Sequence, residues 1–254
     1  MTSKNKSFKE SNFEYLYGLH SVKAAFLNPH RSFYRLFILK DTLKKHPFLK
    51  ELALNLKSPP EVVSESELFQ FIPKSAVHQG VVLETAPLPS LELEDFLPSC
   101  PENALVLVLD QVTDPHNFGA IIRSAAAFGA SALITTSRHS PSLQGIVARA
   151  TAGGIEHVPL IFISNLRQGL KTLKNNRFWC YGLAEEGKDS IENSKLSGRI
   201  ALVLGSEGSG LRRLTMEDCD VLVHLPTVSS FSTLNVSNAA AIALYEAKRQ
   251  LNIK

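Results

Sequence analysis

Between Ala104 and Pro226 the chain carries a series of runs that are apolar along almost their whole length. They are ALVLVLD (104–110), SALITT (131–136), VPLIFI (158–163), RFWCYGLA (177–184), RIALVLG (199–205) and DVLVHLP (220–226). A strand with one wet face alternates apolar and polar residues; a strand without that alternation is buried on both faces. Between the runs lie HNFGAIIRSAAAFG (116–129), GIVARATAG (145–153) and NLRQGLKTLKNN (165–176), and after them NVSNAAAIALYEAKRQ (235–250), all with helical character. This alternation predicts an α/β fold with a mostly parallel sheet covered by helices on both sides. Ligands of such sheets sit at the carboxyl ends of the strands. The polar and glycine-rich segments after Asp110, Gly205 and Pro226 fall there.

The chain before this region reads as a smaller α/β unit. Residues 1–12 are expected to form a solvated tail. GLHSVKAAFLN (18–28) suggests a helix, YRLFILK (34–40) a strand and DTLKKHPFLKELALNLK (41–57) a helical stretch. EVVSESELFQFI (61–72) reads as a strand and short helix, and HQGVVLETA (78–86) as a strand. Residues 13–86 are therefore expected to form one domain and 102–254 another. Pro87, Pro89, Pro98 and Pro101 mark residues 87–101 as a linker.

The net charge of +3 argues against a protein that coats a long polyanion. Residues 1–90 hold 12 basic and 8 acidic side chains, against 15 and 13 in residues 101–254. The denser positive charge favours the smaller unit as a nucleic-acid contact. Three widely spaced cysteines, Cys100, Cys180 and Cys219, fit reduced, packed thiols in a cytoplasmic protein. They suit neither a disulfide scaffold nor a zinc site. No 18-residue apolar run is present, so a membrane span is not expected.

Three loops carry the chemistry. In the first, Asp110 ends a strand, Asp114-Pro115 turns the chain, Asn117 opens a helix and Arg123 lies inside it. That helix is so apolar that Arg123 is expected to be ion-paired or placed in a site. The second loop, VLGSEGSGL (203–211), spaces its glycines GxxGxG. A dinucleotide fingerprint would be GxGxxG, which counts against a nicotinamide-dependent oxidoreductase. Glu207 among those glycines repels phosphate and favours a ligand that is neutral or cationic there. The third loop crowds Ser229, Ser230, Ser232 and Thr233 before Asn235, Ser237 and Asn238 at a helix start. Capping accounts for one or two of these. No GxSxG elbow accompanies them, so covalent serine chemistry is disfavoured.

In their order and spacing, Asp110–Ala125, Val203–Leu211 and Leu225–Ala240 resemble the three motifs of the SpoU (TrmH-type) group of SPOUT RNA 2'-O-ribose methyltransferases. YGLHSVKAAF and HQGVV resemble that family's substrate-binding domain, so the likeness spans nearly all of the chain after residue 15. Among its members, those that methylate a guanosine ribose of 23S rRNA are the most similar. The resemblance implies a deep trefoil knot in the catalytic domain, a homodimer, S-adenosyl-L-methionine as cofactor and no metal. It implies that Gly205, Leu225 and Leu234 line the cofactor site, with Thr135 at its border. Arg123 of one subunit is expected near the cofactor of the other, as base or, preferably, as electrostatic activator with proton relay. An arginine pKa above about 12 makes the base role demanding. Asn117 is expected to orient Arg123 or a substrate phosphate, and Glu207 to hold Arg123 or organise the second loop. Asn235, supported by Ser237, is expected to fix the third loop and touch substrate. Thr227, Ser229 and Thr233 depart from the family's usual third motif. His20, Lys23, Arg31, Arg35, Lys44 and Lys45 are candidate RNA contacts. A tRNA methyltransferase of the same family, or a non-catalytic RNA-binding ribosome-assembly protein, are the alternatives.

Overall fold

A computed structural model describes residues 13–56, 58–138, 140–143, 146–228 and 233–252. The expected tail at 1–12 and Ser229, Ser230 and Ser232 lie outside these residues. The chain divides into two compact units between Pro89 and Ser90.

The first unit runs β1 (Glu14–Tyr17), α1 (Leu19–Leu27), β2 (Phe33–Leu39), α2 (Lys40–Lys45), α3 (Phe48–Leu52), β3 (Glu61–Val63), α4 (Glu65–Leu68) and β4 (Val81–Thr85). Its sheet has the order β1-β4-β2-β3, with only β2 and β3 parallel. The stretch 41–57 is not one helix. Pro47 has no N–H to donate and separates α2 from α3. Leu36, Ile38, Val81 and Leu83 meet Val22, Ala25 and Phe26 of α1 on one sheet face, which makes this unit's main core. Ser64 and Glu67 form a capping box that starts α4.

Of the expected RNA contacts in this unit, Arg31 is placed otherwise. Its guanidinium is buried, pairs with Glu14 and donates to the Ala86 carbonyl at 2.7 Å. Arg35 pairs with Glu84 at 2.6 Å and lies over the Phe37 ring, 4.8 Å from its centre. His20, Lys23, Lys44 and Lys45 are exposed. Breaking a buried pair from one side costs about 3 kcal/mol or more. Arg31→Ala is therefore expected to lower the stability of this unit by about that amount in a denaturant melt. An unchanged midpoint with weakened RNA binding would return Arg31 to the contact surface.

The second unit runs α5 (Leu93–Phe96), β5 (Ala104–Leu109), α6 (Pro115–Ala127), β6 (Ala132–Thr136), α7 (Ile146–Ala150), β7 (Leu160–Ile163), α8 (Leu166–Asn175), β8 (Phe178–Leu183), β9 (Asp189–Ser190), β10 (Arg199–Leu204), α9 (Arg213–Asp218), β11 (Val221–His224) and α10 (Val236–Leu251). Its strands form one seven-stranded sheet, β7-β6-β5-β10-β8-β11-β9, in which every pairing is parallel. Val106, Val108 and Ile134 pack with Leu93, Phe96, Leu166, Leu170 and Leu173 of α5 and α8. Helix α10 packs on α6, β5 and β10. Most of the stretch expected to be a linker therefore belongs to this unit. Its prolines suggest an open arm, but Leu93, Phe96 and Leu97 between them are buried and anchor it.

Cys180 and Cys219 are both free thiols, and burial pushes each up to about 12. Burial also raises Cys100. Among the described residues no helix is long and apolar enough to cross a membrane, and no cluster of His, Cys, Asp or Glu is arranged to hold a metal ion.

Candidate active site

The parallel sheet delivers its loops to one edge. Thr135 sits at the carboxyl end of β6, Gly205 follows β10 and Leu225 follows β11. Helices α6 and α10, which start at this edge, are both capped by side chains. Asp114 accepts from the Asn117 N–H at 2.7 Å and Pro115 takes the first position of α6. Asn235 accepts from the Ser237 N–H at 2.9 Å and starts α10.

The capping groups extend into a chain that joins all three loops. The Ser237 hydroxyl donates to Asn235 Oδ1 at 2.6 Å. Asn235 Nδ2 donates to Asn117 Oδ1 at 3.0 Å. Asn117 Nδ2 donates to Glu207 Oε2 at 2.7 Å. Residues 90 to 120 positions apart in sequence are thus linked in one direction, from a hydroxyl through two amides to a carboxylate. An amide supplies both a donor and an acceptor, so it can pass polarity along such a chain. The last bond ends on a charged acceptor, the strongest kind of acceptor in the chain.

The loop after β10 is a closed turn. Ser206 and Gly210 exchange backbone hydrogen bonds at 3.1 and 3.0 Å. Gly205 is buried against this pair, and a Cβ there would fall 2.0 Å from the Gly210 carbonyl carbon and oxygen. Gly208 and Gly210 have positive φ, with open space around both. The three glycines therefore serve two purposes: close approach at Gly205, and left-handed backbone at the other two. Glu207 is held exposed at the tip. Thr135 is buried, and its hydroxyl lies 2.8 Å from that of Ser140. Leu225 is half-buried and Leu234 is 41% exposed.

Arg123 is outside this network. It is exposed, and among the described residues it makes no hydrogen bond or ion pair. The expectation that so apolar a helix leaves Arg123 few easy routes to solvent does not hold. Phe118, Ile121, Ile122 and Ala125 take the inner side of α6, so the apolarity is one-sided. His116, Arg123 and Ala127 share the outer side. Arg123 is six residues from Asn117, about 9 Å along the axis and roughly 120° around it. Within one chain, Glu207 is therefore held by Asn117 rather than paired with Arg123. The backbone at Arg123 is closely supported, since a Cβ on Gly154 would stand 3.1 Å from the Arg123 Cα.

Sequence reasoning missed a second polar cluster. The Asp110 carboxylate is buried at the end of β5. It receives Arg212 Nε at 2.8 Å, Arg212 Nη2 at 2.7 Å and the Thr215 hydroxyl at 2.6 Å. The partners are 102 and 105 residues away, and no local spacing announces them.

The chemistry of this edge suits a ligand with an apolar part and a cationic part. Exposed Leu234 and half-buried Leu225 offer apolar surface. Gly208 and Gly210 leave backbone unobstructed, and Glu207 places a carboxylate where a phosphate would be repelled. S-adenosyl-L-methionine, a sulfonium with an adenine, matches that donor set.

Comparison with known proteins agrees with the architecture. Residues 104–245 match the model of the SpoU rRNA Methylase family, and residues 15–91 that of the RNA 2'-O ribose methyltransferase substrate-binding domain. The chain is 39% identical over 246 residues to a 23S rRNA (guanosine-2'-O-)-methyltransferase RlmB of Yersinia pestis, covering 95% of this chain and 99% of that one. The SpoU methyltransferase AviRb of Streptomyces viridochromogenes has a similar fold, with a TM-score of 0.79 at 23% identity over 94% of this chain and 90% of that one. A TrmH/SpoU tRNA-modifying enzyme of A. aeolicus matches at a TM-score of 0.52 and 27% identity, covering 61% of this chain and 78% of its own.

Proposed function

The chain belongs to the SpoU rRNA methylase family, and from that premise we propose that it methylates the ribose 2'-hydroxyl of a guanosine in 23S rRNA, with S-adenosyl-L-methionine as methyl donor. The observation that carries this reading is the chain Ser237–Asn235–Asn117–Glu207, which draws the three loops to one point at the carboxyl edge of the sheet. The tRNA-modifying relative matches only 61% of the chain, whereas the 23S rRNA enzyme matches 95%, including the first unit. That favours the rRNA substrate over a tRNA.

S-adenosyl-L-methionine supplies an already activated methyl group on a sulfonium. Gly205, Leu225 and Leu234 would hold it, with Thr135 at the border. The residues then have to lower the proton affinity of a hydroxyl and aim it. A guanidinium does the first by stabilising the developing alkoxide. Arg123 carries that charge in this reading, with an adjacent RNA phosphate taking the proton. Asn117, Asn235 and Ser237 keep Glu207 and the second loop in place. Asn235, at the start of α10, would also touch the substrate.

Because Arg123 lies on the outer side of α6, it serves a second subunit in this reading. Ile242 and Tyr245 on the neighbouring α10 are 46% and 57% exposed. With Arg123 they form the face that a second copy would cover, giving a homodimer with shared sites. The trefoil knot and a cytoplasmic location belong to the same reading. The first unit would select the RNA through shape and phosphate contacts, with His20, Lys23, Lys44 and Lys45 as exposed candidate contacts.

The test is methyl transfer. Purified protein, labelled S-adenosyl-L-methionine and rRNA from a strain lacking this gene should yield one labelled guanosine ribose in 23S rRNA. Labelled tRNA instead would select the alternative substrate. No transfer to either would leave a non-catalytic RNA-binding protein.

A further inference from the structure

The loop at 205–211 needs a fixed orientation as well as a fixed shape. Its shape is closed by the Ser206–Gly210 pair. At its tip, Glu207 is gripped by Asn117. A single grip leaves a closed loop free to pivot about that point. The cluster around Asp110 supplies a second one. Arg212, the residue that leaves the loop, lays Nε and Nη2 against the Asp110 carboxylate, and its own N–H points to the same group at 3.4 Å. Thr215 donates at 2.6 Å to Oδ2, the oxygen that Arg212 Nε also reaches at 3.1 Å. Asp110 and Asn117 are the two ends of one short segment, 110–117. The first loop therefore holds the second at its exit and at its tip.

We propose that Arg212, locked by Asp110 and Thr215, is a positioning residue that sets the orientation of the 205–211 loop for cofactor binding. The proposal rests on the function proposed above. Stability alone does not call for this arrangement. The Asp110 side chain is fully buried and that of Arg212 is 49% exposed. Such a pair roughly breaks even against packed apolar residues, because removing the charges from water costs about as much as their attraction returns. Its distinctive property is geometric. A guanidinium edge against a carboxylate fixes an angle, whereas the ammonium of lysine is a point charge that fixes only a distance. With both grips intact, Gly205 and the open backbone at Gly208 and Gly210 are presented to the ligand in one pose.

Arg212→Lys tests this without stranding the buried carboxylate. In the cofactor-free protein, hydrogen exchange at the Ser206 and Gly210 amides should accelerate about tenfold, the equivalent of one charge-assisted hydrogen bond. The Kd for S-adenosyl-L-methionine by calorimetry should rise by about the same factor, while affinity for an rRNA fragment stays within about twofold. Asp110→Asn, which leaves Arg212 free to be hydrated, should do the same. Unchanged exchange in both variants would overturn the clamp. Faster exchange with unchanged cofactor affinity would overturn its link to the cofactor. A loss of RNA affinity alone would make Arg212 a phosphate contact instead. If the wild-type protein takes up no S-adenosyl-L-methionine, the functional reading fails, whereas the exchange result still judges the clamp by itself.

Discussion

Arg123→Ala is expected to lower methyl transfer by about 100- to 1000-fold, the usual loss when a donor aimed at a developing oxyanion is removed. Binding of S-adenosyl-L-methionine should stay within about twofold, since in this reading Arg123 acts on the charge that develops on the ribose oxygen in the transition state, not on the ground-state cofactor. Fold stability should hardly change, because the side chain is exposed and among the described residues has no partner. The shared-site reading adds a sharper outcome. Arg123→Ala subunits mixed with Glu207→Ala subunits should regain activity, because each mixed dimer contains one site in which both residues are present. If the mixture stays as inactive as its parents, Arg123 works within its own chain or not at all. Near-normal turnover of Arg123→Ala would remove it from the mechanism.

The sequence made the scaffold legible because the apolar runs are extreme. ALVLVLD and RIALVLG are apolar at almost every position, and they are the paired central strands β5 and β10. Local breaks were read well where the chemistry is local, as at Asp114-Pro115 and Asn235. Composition misled where a few residues outweigh their surroundings. Four prolines made residues 87–101 look like an arm, yet the buried side chains of Leu93, Phe96, Leu97 and Cys100 decide its fate. Arg123 misled in the opposite way: the neighbours are apolar, but a helix has sides, and 3.6-residue periodicity puts Arg123 outside. The motifs pointed to the loops that the chain Ser237–Asn235–Asn117–Glu207 unites, but not to who holds whom. The Asp110–Arg212–Thr215 cluster was invisible, because two charged residues a hundred positions apart have no pattern until the sheet brings β5 and β10 side by side.

Gly205→Ala should damage cofactor binding far more than Gly208→Ala, and the surroundings of the two glycines show why. Both glycines lie in one loop. At Gly208 the φ of +86° is unfavourable for an L side chain, but nothing lies within 4 Å of an added Cβ. Alanine there costs about 1–2 kcal/mol of backbone strain and leaves the loop closed. At Gly205 the added carbon would fall 2.0 Å from the Gly210 carbonyl group and 2.2 Å from the Leu211 nitrogen. Those are backbone atoms, and no rotamer moves them aside. Relief requires opening the Ser206–Gly210 pair, which swings Glu207 away from Asn117 and loosens the exit at Arg212. With about 3 kcal/mol of overpacking spent on deforming the loop that holds the cofactor, affinity for S-adenosyl-L-methionine should fall by about 100-fold. Gly208→Ala should lose about tenfold or less. The ratio of the two Kd values, measured by calorimetry on the same preparation, is the readout. Equal losses would mean that left-handed backbone, not close approach, governs the loop. A Gly205→Ala protein that binds like wild type would show that the ligand does not depend on this turn at all.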